Sequence, residues 1–307
     1  MNGSYVGVFI VYFLSSFFKM LKRSIKPSTL FVILFFFCSC ALLNREELIL
    51  EKNLFSGSKV SFAFLDIKYM RTKNFNKIWS KVYANKFYPY RKLLNKEFEI
   101  LGQSKINGIN YFIIQDNKDK LFKSELAIDS VGNIINPNYI LLEEDYMKAK
   151  DLINKYIWLN YLSNENIFFT YDTKKFSRFQ KVKVVDVMKF QNSDKKLPLW
   201  LIIESIEGDK GFLRYDRSVN NIGYQDHYFV EDPLSEKWDE KTISLIRSGR
   251  SILGMTKRQV RISIFNPEII NHTSSRHGIS EQWVYKFENS KKQYYQFEGG
   301  KLTFINK

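Results

Sequence analysis

Cysteine is nearly absent. The 307 residues hold two, Cys38 and Cys40, both close to the N-terminus. No thiol follows Cys40, so the rest of the chain has no disulfide, no thiolate metal ligand and no cysteine nucleophile. Histidine is scarce as well: His227, His272 and His277. None stands in a His-x-x-x-His pair, the spacing that sets two ligands on one helix face. There is no Gly-x-Ser-x-Gly turn and no phosphate-cradling glycine loop. Glu143, Glu144 and Asp145 cluster, but at a helix start, where carboxylates suit the positive end of the dipole. These absences point away from an enzyme, with no metal and no cofactor, and leave no constellation for a cell-wall hydrolase.

The chain does contain a short apolar run, Leu30 to Phe37, preceded by Lys22, Arg23 and Lys26 and followed by Ser39 and Cys40. It is too short for a bilayer span, which takes roughly 20 apolar residues. It suits the core of an export signal, for which about 7–15 are expected. A small residue before a cysteine resembles the lipobox of bacterial lipoproteins, though Phe37 and Cys38 are looser than the usual Leu-Ala/Ser-Gly/Ala-Cys. The resemblance implies cleavage after Ser39, lipid attachment at Cys40 and a membrane contact through that lipid. The alternative is a plain N-terminal membrane anchor. A second apolar stretch, Tyr5 to Phe18, has no charge before Lys19; reading from Met20 gives the better basic start.

Removing residues 1–39 takes away Lys19, Lys22, Arg23 and Lys26, which lowers the formal charge of +15 by four to +11. The remaining lysines are scattered among Glu and Asp. With export, that argues against nucleic acid and leaves a weak attraction to acidic lipid or polymer. Hydrophobic residues make up 45% and aromatics 16%, enough for a large core without disulfides.

Two stretches are alike. Glu97 to Gly102, Gly108 to Ile114 and Asp119 to Lys123 are echoed by Val182 to Val187, Leu199 to Glu204 and Asp209 to Asp216. Phe122 and Phe212 lie 90 apart, as do Asp119 and Asp209. Tyr139 and Tyr228-Phe229 close the two stretches. Self-similarity of this kind marks duplicated units. Each alternates short β-rich runs with turns, and Gly208 and Gly211 suit the positive φ of a hairpin turn. Leu199 to Ile202, Gly208-Asp209 and Gly211-Phe212 resemble bacterial SH3-type domains, which implies small barrels. The opening motif of that family is missing, so no ligand residues carry over.

Helical spacing places Tyr146, Met147, Ile153, Tyr156 and Ile157 on a helix from Glu143 to Leu159. Asp232-Pro233 reads as N-cap and first turn of another, with Leu234, Trp238 and Leu245 on one face and Gly249 at its end. Thr256 and Gln259 form a capping box, Val260 and Ile264 face inward, and Pro267 stops that helix. Trp283 to Phe287 and Tyr294 to Phe297 alternate as strands, and Gly299-Gly300 turns into a third, Leu302 to Ile305. His272 and His277 flank a polar loop. The Gly254-Met-Thr start, the Trp283-x-Tyr285 strand and the Phe297-Glu-x-Gly-Lys-Leu hairpin resemble the SmpA/OmlA (BamE) family over about residues 240–307. That family's Leu-Gly-x-Pro is replaced here by Phe265-Asn-Pro. The resemblance implies an ααβββ domain and a place beside outer-membrane barrel-assembly proteins.

The expected map is therefore a signal (1–39), a tether and N-terminal segment (40–80), an SH3-like unit with a helix (81–150), a linker helix with a second SH3-like unit (151–235) and a BamE-like domain (236–307). The expected fold is mainly β with an α+β C-terminal domain. The expected protein is an envelope lipoprotein, anchored in the outer membrane and facing the periplasm, that docks envelope proteins; the alternatives are a peptidoglycan binder and a cell-surface protein. Cys40 is the lipid site. Trp200, Tyr215, Trp283 and Tyr285 are the candidate ligand or partner contacts, with Trp283 and Tyr285 better placed as core.

Overall fold

In the computed structural model the chain divides into two units, Met1–Ile49 and Leu50–Lys307. The structure describes residues 48–84, 86–171, 176–194, 196–217, 222–275, 278–286 and 292–306. The expected export signal, Cys40, His277 and Phe287 lie outside the described residues. Among the described residues, no helix is long and apolar enough to cross a membrane.

Among the described residues the fold is mainly β, built from three sheets in chain order that are antiparallel but for one short parallel pairing in the second. The first uses β1 (Lys59–Phe62), β3 (Ser80–Lys81), β4 (Glu97–Ile106), β5 (Ile109–Asp116), β6 (Leu121–Glu125) and β7 (Ile140–Leu142), with β2 (Phe64–Leu65) and helix α1 (Ile67–Thr72) between β1 and β3. Helix α2 (Glu143–Lys150) leads to the second, made of β8 (Tyr156–Leu159), β9 (Phe168–Phe169), β10 (Lys181–Gln191), β11 (Leu199–Glu204), β12 (Lys210–Arg214) and β13 (Tyr228–Phe229). The third follows helices α3 (Glu240–Arg247) and α4 (Lys257–Ile264) and comprises β14 (Ile269–Ser275), β15 (Gly278–Lys286), β16 (Lys292–Glu298) and β17 (Lys301–Asn306).

The first sheet runs β7-β1-β4-β5-β6-β3 and the second β13-β8-β10-β11-β12-β9. Numbered within each unit, both orders are sixth, first, third, fourth, fifth, second, so the internal likeness is a duplicated topology. Both also carry a β-bulge between their third and fourth strands, at Ile100/Gly102 and at Val184/Asp186. A bulge raises local twist and bends the strand, and each sheet curls. The end strands of each path, β7 and β3 or β13 and β9, do not pair, so these are open half-barrels rather than closed ones. The first sheet takes in residues before 81, because β1 and the first residue of β3 come from the stretch expected as tether.

The hairpin turns set the true register. Asp116 Oδ1 accepts from the Lys118 and Lys120 amides at 2.9 and 3.0 Å. Ser205 Oγ accepts from the Glu207 and Asp209 amides, both at 3.2 Å. Asp119 (φ 57°) and Gly208 (φ 87°) take the left-handed position in each. The equivalent pairs are thus 89 apart (205 − 116 and 208 − 119), not 90. A slip of one residue inverts the face, and Phe122 and Phe212 are accordingly not equivalent. Phe122 fills the first core, whereas Phe212 lies on the opposite face of its own sheet and stacks on Phe169 at 4.6 Å. The partner of Phe122 is Gly211, which sits in strand β12 rather than in a turn. A Cβ there would stand 3.0 Å from the Phe168 ring and 3.3 Å from Phe176, so those two rings occupy the room that one Phe fills in the first unit.

The first core is aromatic. The Phe62 ring meets Trp79, Tyr90 and Phe98 edge-on at 5.5, 5.7 and 5.2 Å. Such pairs add about 0.5–1.5 kcal/mol each beyond area burial. The short strand β2 leaves this unit and pairs in parallel with β10, through Phe64 with Phe190 and Leu65 with Gln191.

Two expected helices are corrected. The helix from Glu143 ends at Lys150, not at Leu159. Asn154 turns the chain at φ 67° and donates its amide to Val184 O at 2.8 Å. Tyr156–Leu159 then pairs with β10 on one side and β13 on the other, which overrides its helical spacing. Asp232 caps no helix: its Oδ1 accepts from the Leu234 amide two residues on, an Asx turn. The N-cap is Asp239, which accepts from the Thr242 amide at 2.8 Å, and Gly249 (φ 67°) follows the helix end.

The Thr256–Gln259 capping box is present, with the Thr256 amide donating to Gln259 Oε1 at 2.7 Å. Val260 and Ile264 are buried behind it. The sheet, however, has four strands in the order β14-β15-β16-β17, giving ααββββ instead of ααβββ. The missed strand is the His272 segment expected as a polar loop. It pairs with β15 along its length, from Ile269 opposite Val284 to Ser275 opposite Gly278. Phe179, from the second unit, enters this third core beside Ile246, Val260 and Trp283.

Candidate functional site

A cleft of about 840 Å³ opens between the second sheet and the C-terminal helices and sheet. One wall is the chain around β13, with Tyr228, Phe229 and Val230. The facing wall is α4, through Lys257, Arg258, Arg261 and Ile262, over Ile270 and His272 of β14 and Glu281 and Trp283 of β15. Register explains the grouping. Ile270 is opposite Trp283 and His272 opposite Glu281, so all four share the sheet face that α4 crosses. On the helix, positions 257 and 261, or 258 and 261, are one turn apart and meet on one surface.

Five Lys and Arg residues line the cleft (Lys148, Arg217, Lys257, Arg258, Arg261) against three acids (Asp216, Glu231, Glu281). Lys257 Nζ lies 2.8 Å from Glu281 Oε1, and Trp283 Nε1 donates to Glu281 Oε2 at 2.9 Å. Burial pulls the Glu281 carboxyl upward, but the hydrogen bonds from Lys257 and Trp283 outweigh it and leave the pKa below the ordinary value. His272 Nδ1 is 3.7 Å from the same carboxylate. Glu281 is thus a committed anion rather than a proton donor. Arg217 is bonded to Asp145 of the first turn of α2, which accounts for that acidic cluster in part. Among the described residues, no group of three His, Cys, Asp or Glu could hold a metal ion. The arrangement is suited to holding an anion beside aromatic surface.

A second cavity, of about 700 Å³, lies between the first two sheets and is lined by Arg214, Tyr215 and His227. His227 is buried, and its Nδ1 is 2.9 Å from Arg214 O. Burial lowers its pKa against the opposing pull of Asp216, with Lys196 and Arg214 adding to the lowering. The folded protein therefore holds His227 neutral. As pH falls below about 6.5 the unfolded chain binds the proton first, and stability drops. A melting series between pH 7.5 and about 5 is expected to show this fall, and His227→Gln to flatten it. A variant with the wild-type slope would remove His227 as its source.

Of the candidate contacts, Trp200 is fully buried, with its Nε1 donating to Phe190 O at 2.9 Å and the Arg214 guanidinium 4.2 Å over its ring. It lines neither cavity. Tyr285 is buried as well, 5.0 Å from Tyr295, so no exposed Trp283–Tyr285 stripe exists. Trp283 is buried but forms the cleft floor, and Tyr215 reaches both cavities. Sequence reasoning missed Lys257, Arg258 and Arg261, although their spacing on a capped helix was a readable signal. Comparison with known protein families, with curated proteins and with solved structures found no match to this chain.

Proposed function

We propose that this chain is a lipid-anchored envelope protein, tethered through Cys40 at the outer membrane and facing the periplasm, whose two β units and α+β domain together form a docking module rather than an enzyme. The observation that carries the docking part is the cleft beside α4, where an excess of cations meets the aromatic surface of Tyr228, Phe229 and Trp283. Aromatic residues and arginine dominate the energetics of protein contacts. The SmpA/OmlA-like C-terminal pattern makes barrel-assembly proteins the first partners to seek. The test is in-cell crosslinking with mass spectrometry on the full chain and on Ile270→Trp, which fills the cleft. Wild type is expected to capture envelope proteins that Ile270→Trp loses. Equal capture by both would remove the cleft, and retention on sedimented peptidoglycan in place of protein partners would favour a wall-binding role.

A further inference from the structure

This inference rests on the docking reading and names the chemistry that the cleft selects. Three of its five cations are engaged: Lys148 with Glu144, Arg217 with Asp145 and Lys257 with Glu281. Arg258 and Arg261 have no carboxylate partner among the described residues. Arg258 is exposed and lies 5.9 Å from the Trp238 ring centre. Arg261 is half-buried, its guanidinium 5.0 Å from the centre of the Trp283 ring. Its Nε is buried and has no hydrogen-bond partner among the described residues.

A buried donor without an acceptor costs about 1–3 kcal/mol. Arg261 lines an open cleft, where an acceptor arriving from outside can meet its guanidinium. The buried Trp283 beneath it limits how the guanidinium plane can turn, and a pre-set guanidinium fork matches a carboxylate with two parallel bonds. Lys257 and Arg258 stand in the first turn of α4, where cations oppose the helix dipole. An arriving anion would relieve both strains. Beside Arg261 the cleft surface is apolar, through Ile262, Ile270 and Tyr228.

We infer that the cleft binds a carboxylate attached to an apolar group, with Arg261 taking the carboxylate and Ile262, Ile270 and Tyr228 taking the apolar part. An acidic side chain next to an apolar residue in an extended segment of a partner protein presents that combination.

The probe is phenylacetate, with phenylacetamide as its neutral isostere, titrated into the full chain and followed by ligand-observed NMR. Phenylacetate is expected to bind at least about tenfold tighter, a difference of about 1.4 kcal/mol. Arg261→Gln is expected to abolish that preference and Arg261→Lys to restore part of it. Arg91→Gln, a cation outside the cleft, is expected to leave it intact. Equal binding of acid and amide would overturn the inference, as would a preference that survives Arg261→Gln or falls as far in Arg91→Gln. If Ile270→Trp loses its partners while acid and amide bind alike, docking stands and the carboxylate chemistry falls. If the acid is preferred while Ile270→Trp keeps every partner, the carboxylate site stands and the docking reading falls.

Discussion

Arg178→Ala is expected to cost about 3–4 kcal/mol and to split unfolding into two steps. Arg178 belongs to the second unit, just before β10, yet it binds the end of helix α4. Its Nε donates to Asn160 Oδ1 at 2.9 Å, Nη1 to Ser263 O at 2.8 Å and Nη2 to Ile262 O at 2.5 Å. The last carbonyls of a helix have no partner within it and carry its negative end, so a cation there is favourable twice over. The guanidinium lies between two rings, 4.5 Å from Phe179 and 4.2 Å from Phe265. Both phenylalanines have positive φ, 65° and 72°. The left-handed region costs a residue with a side chain roughly 1–2 kcal/mol, so this sandwich is held against backbone strain. Burial pushes the Arg178 pKa down to about 10, which still leaves it charged at neutral pH.

Alanine would strand two helix-end carbonyls and the Asn160 oxygen and leave the rings unsupported. Urea unfolding followed by tryptophan fluorescence and by hydrogen exchange checks this. Amides of β15 are expected to lose protection before those of β11. Lysine at the same position can reach one carbonyl but cannot fill the sandwich, so it should recover less than half of the loss. A single coincident transition, shifted by under about 1 kcal/mol, would mean that Phe179 alone joins the two cores.

Arg214→Ala is expected to cost about 4 kcal/mol, through unsatisfied acceptors and a cavity together. Arg214 is fully buried and, among the described residues, is bonded to carbonyl and amide oxygens rather than to a carboxylate. Its Nε donates to Asn166 O at 2.5 Å, Nη1 to Leu197 O and, at 3.4 Å, to Gln191 Oε1, and Nη2 to Asn192 Oδ1. One side chain thus ties the β8–β9 connection to the β10–β11 connection. Its flat face covers Trp200, which explains how both can be buried in one sheet. Burial pushes its pKa down to about 9. Arg214→Met keeps most of the volume and removes every donor, so the pair of variants separates the two contributions. Methionine is expected to lose about 2–3 kcal/mol in urea denaturation. A methionine variant within 1 kcal/mol of wild type would show that water or backbone movement re-satisfies those carbonyls.

These two arginines also mark the limit of sequence reading. Nothing local distinguishes Arg214 from the many exposed cations around it; its burial depends on loops that meet only when both hairpins have formed. Phe265 is similar. At that position a glycine would take φ 72° without strain. The reason for a phenylalanine lies 87 residues away (265 − 178), in Arg178. Helix α4, by contrast, was readable in detail, because a capping box, an apolar stripe and a following proline are all local signals.

By itself, the sequence determined that the chain is mainly β, that two stretches are alike, that the C-terminal part carries a helix capped by Thr256 and ends in hairpins, and that no cysteine follows Cys40. Those features depend on short-range turn chemistry, periodicity and composition. Only the tertiary structure decided that Tyr156–Leu159 is a strand, that the duplicated hairpins align at 89 residues, that the His272 segment adds a fourth strand and that Trp200 is core while Arg261 faces a cleft. Each of these depends on which distant backbone offers hydrogen bonds and which face a partner covers. Side-chain direction reverses with every residue along a strand, so a likeness read from sequence to within one position still left the choice of face to packing.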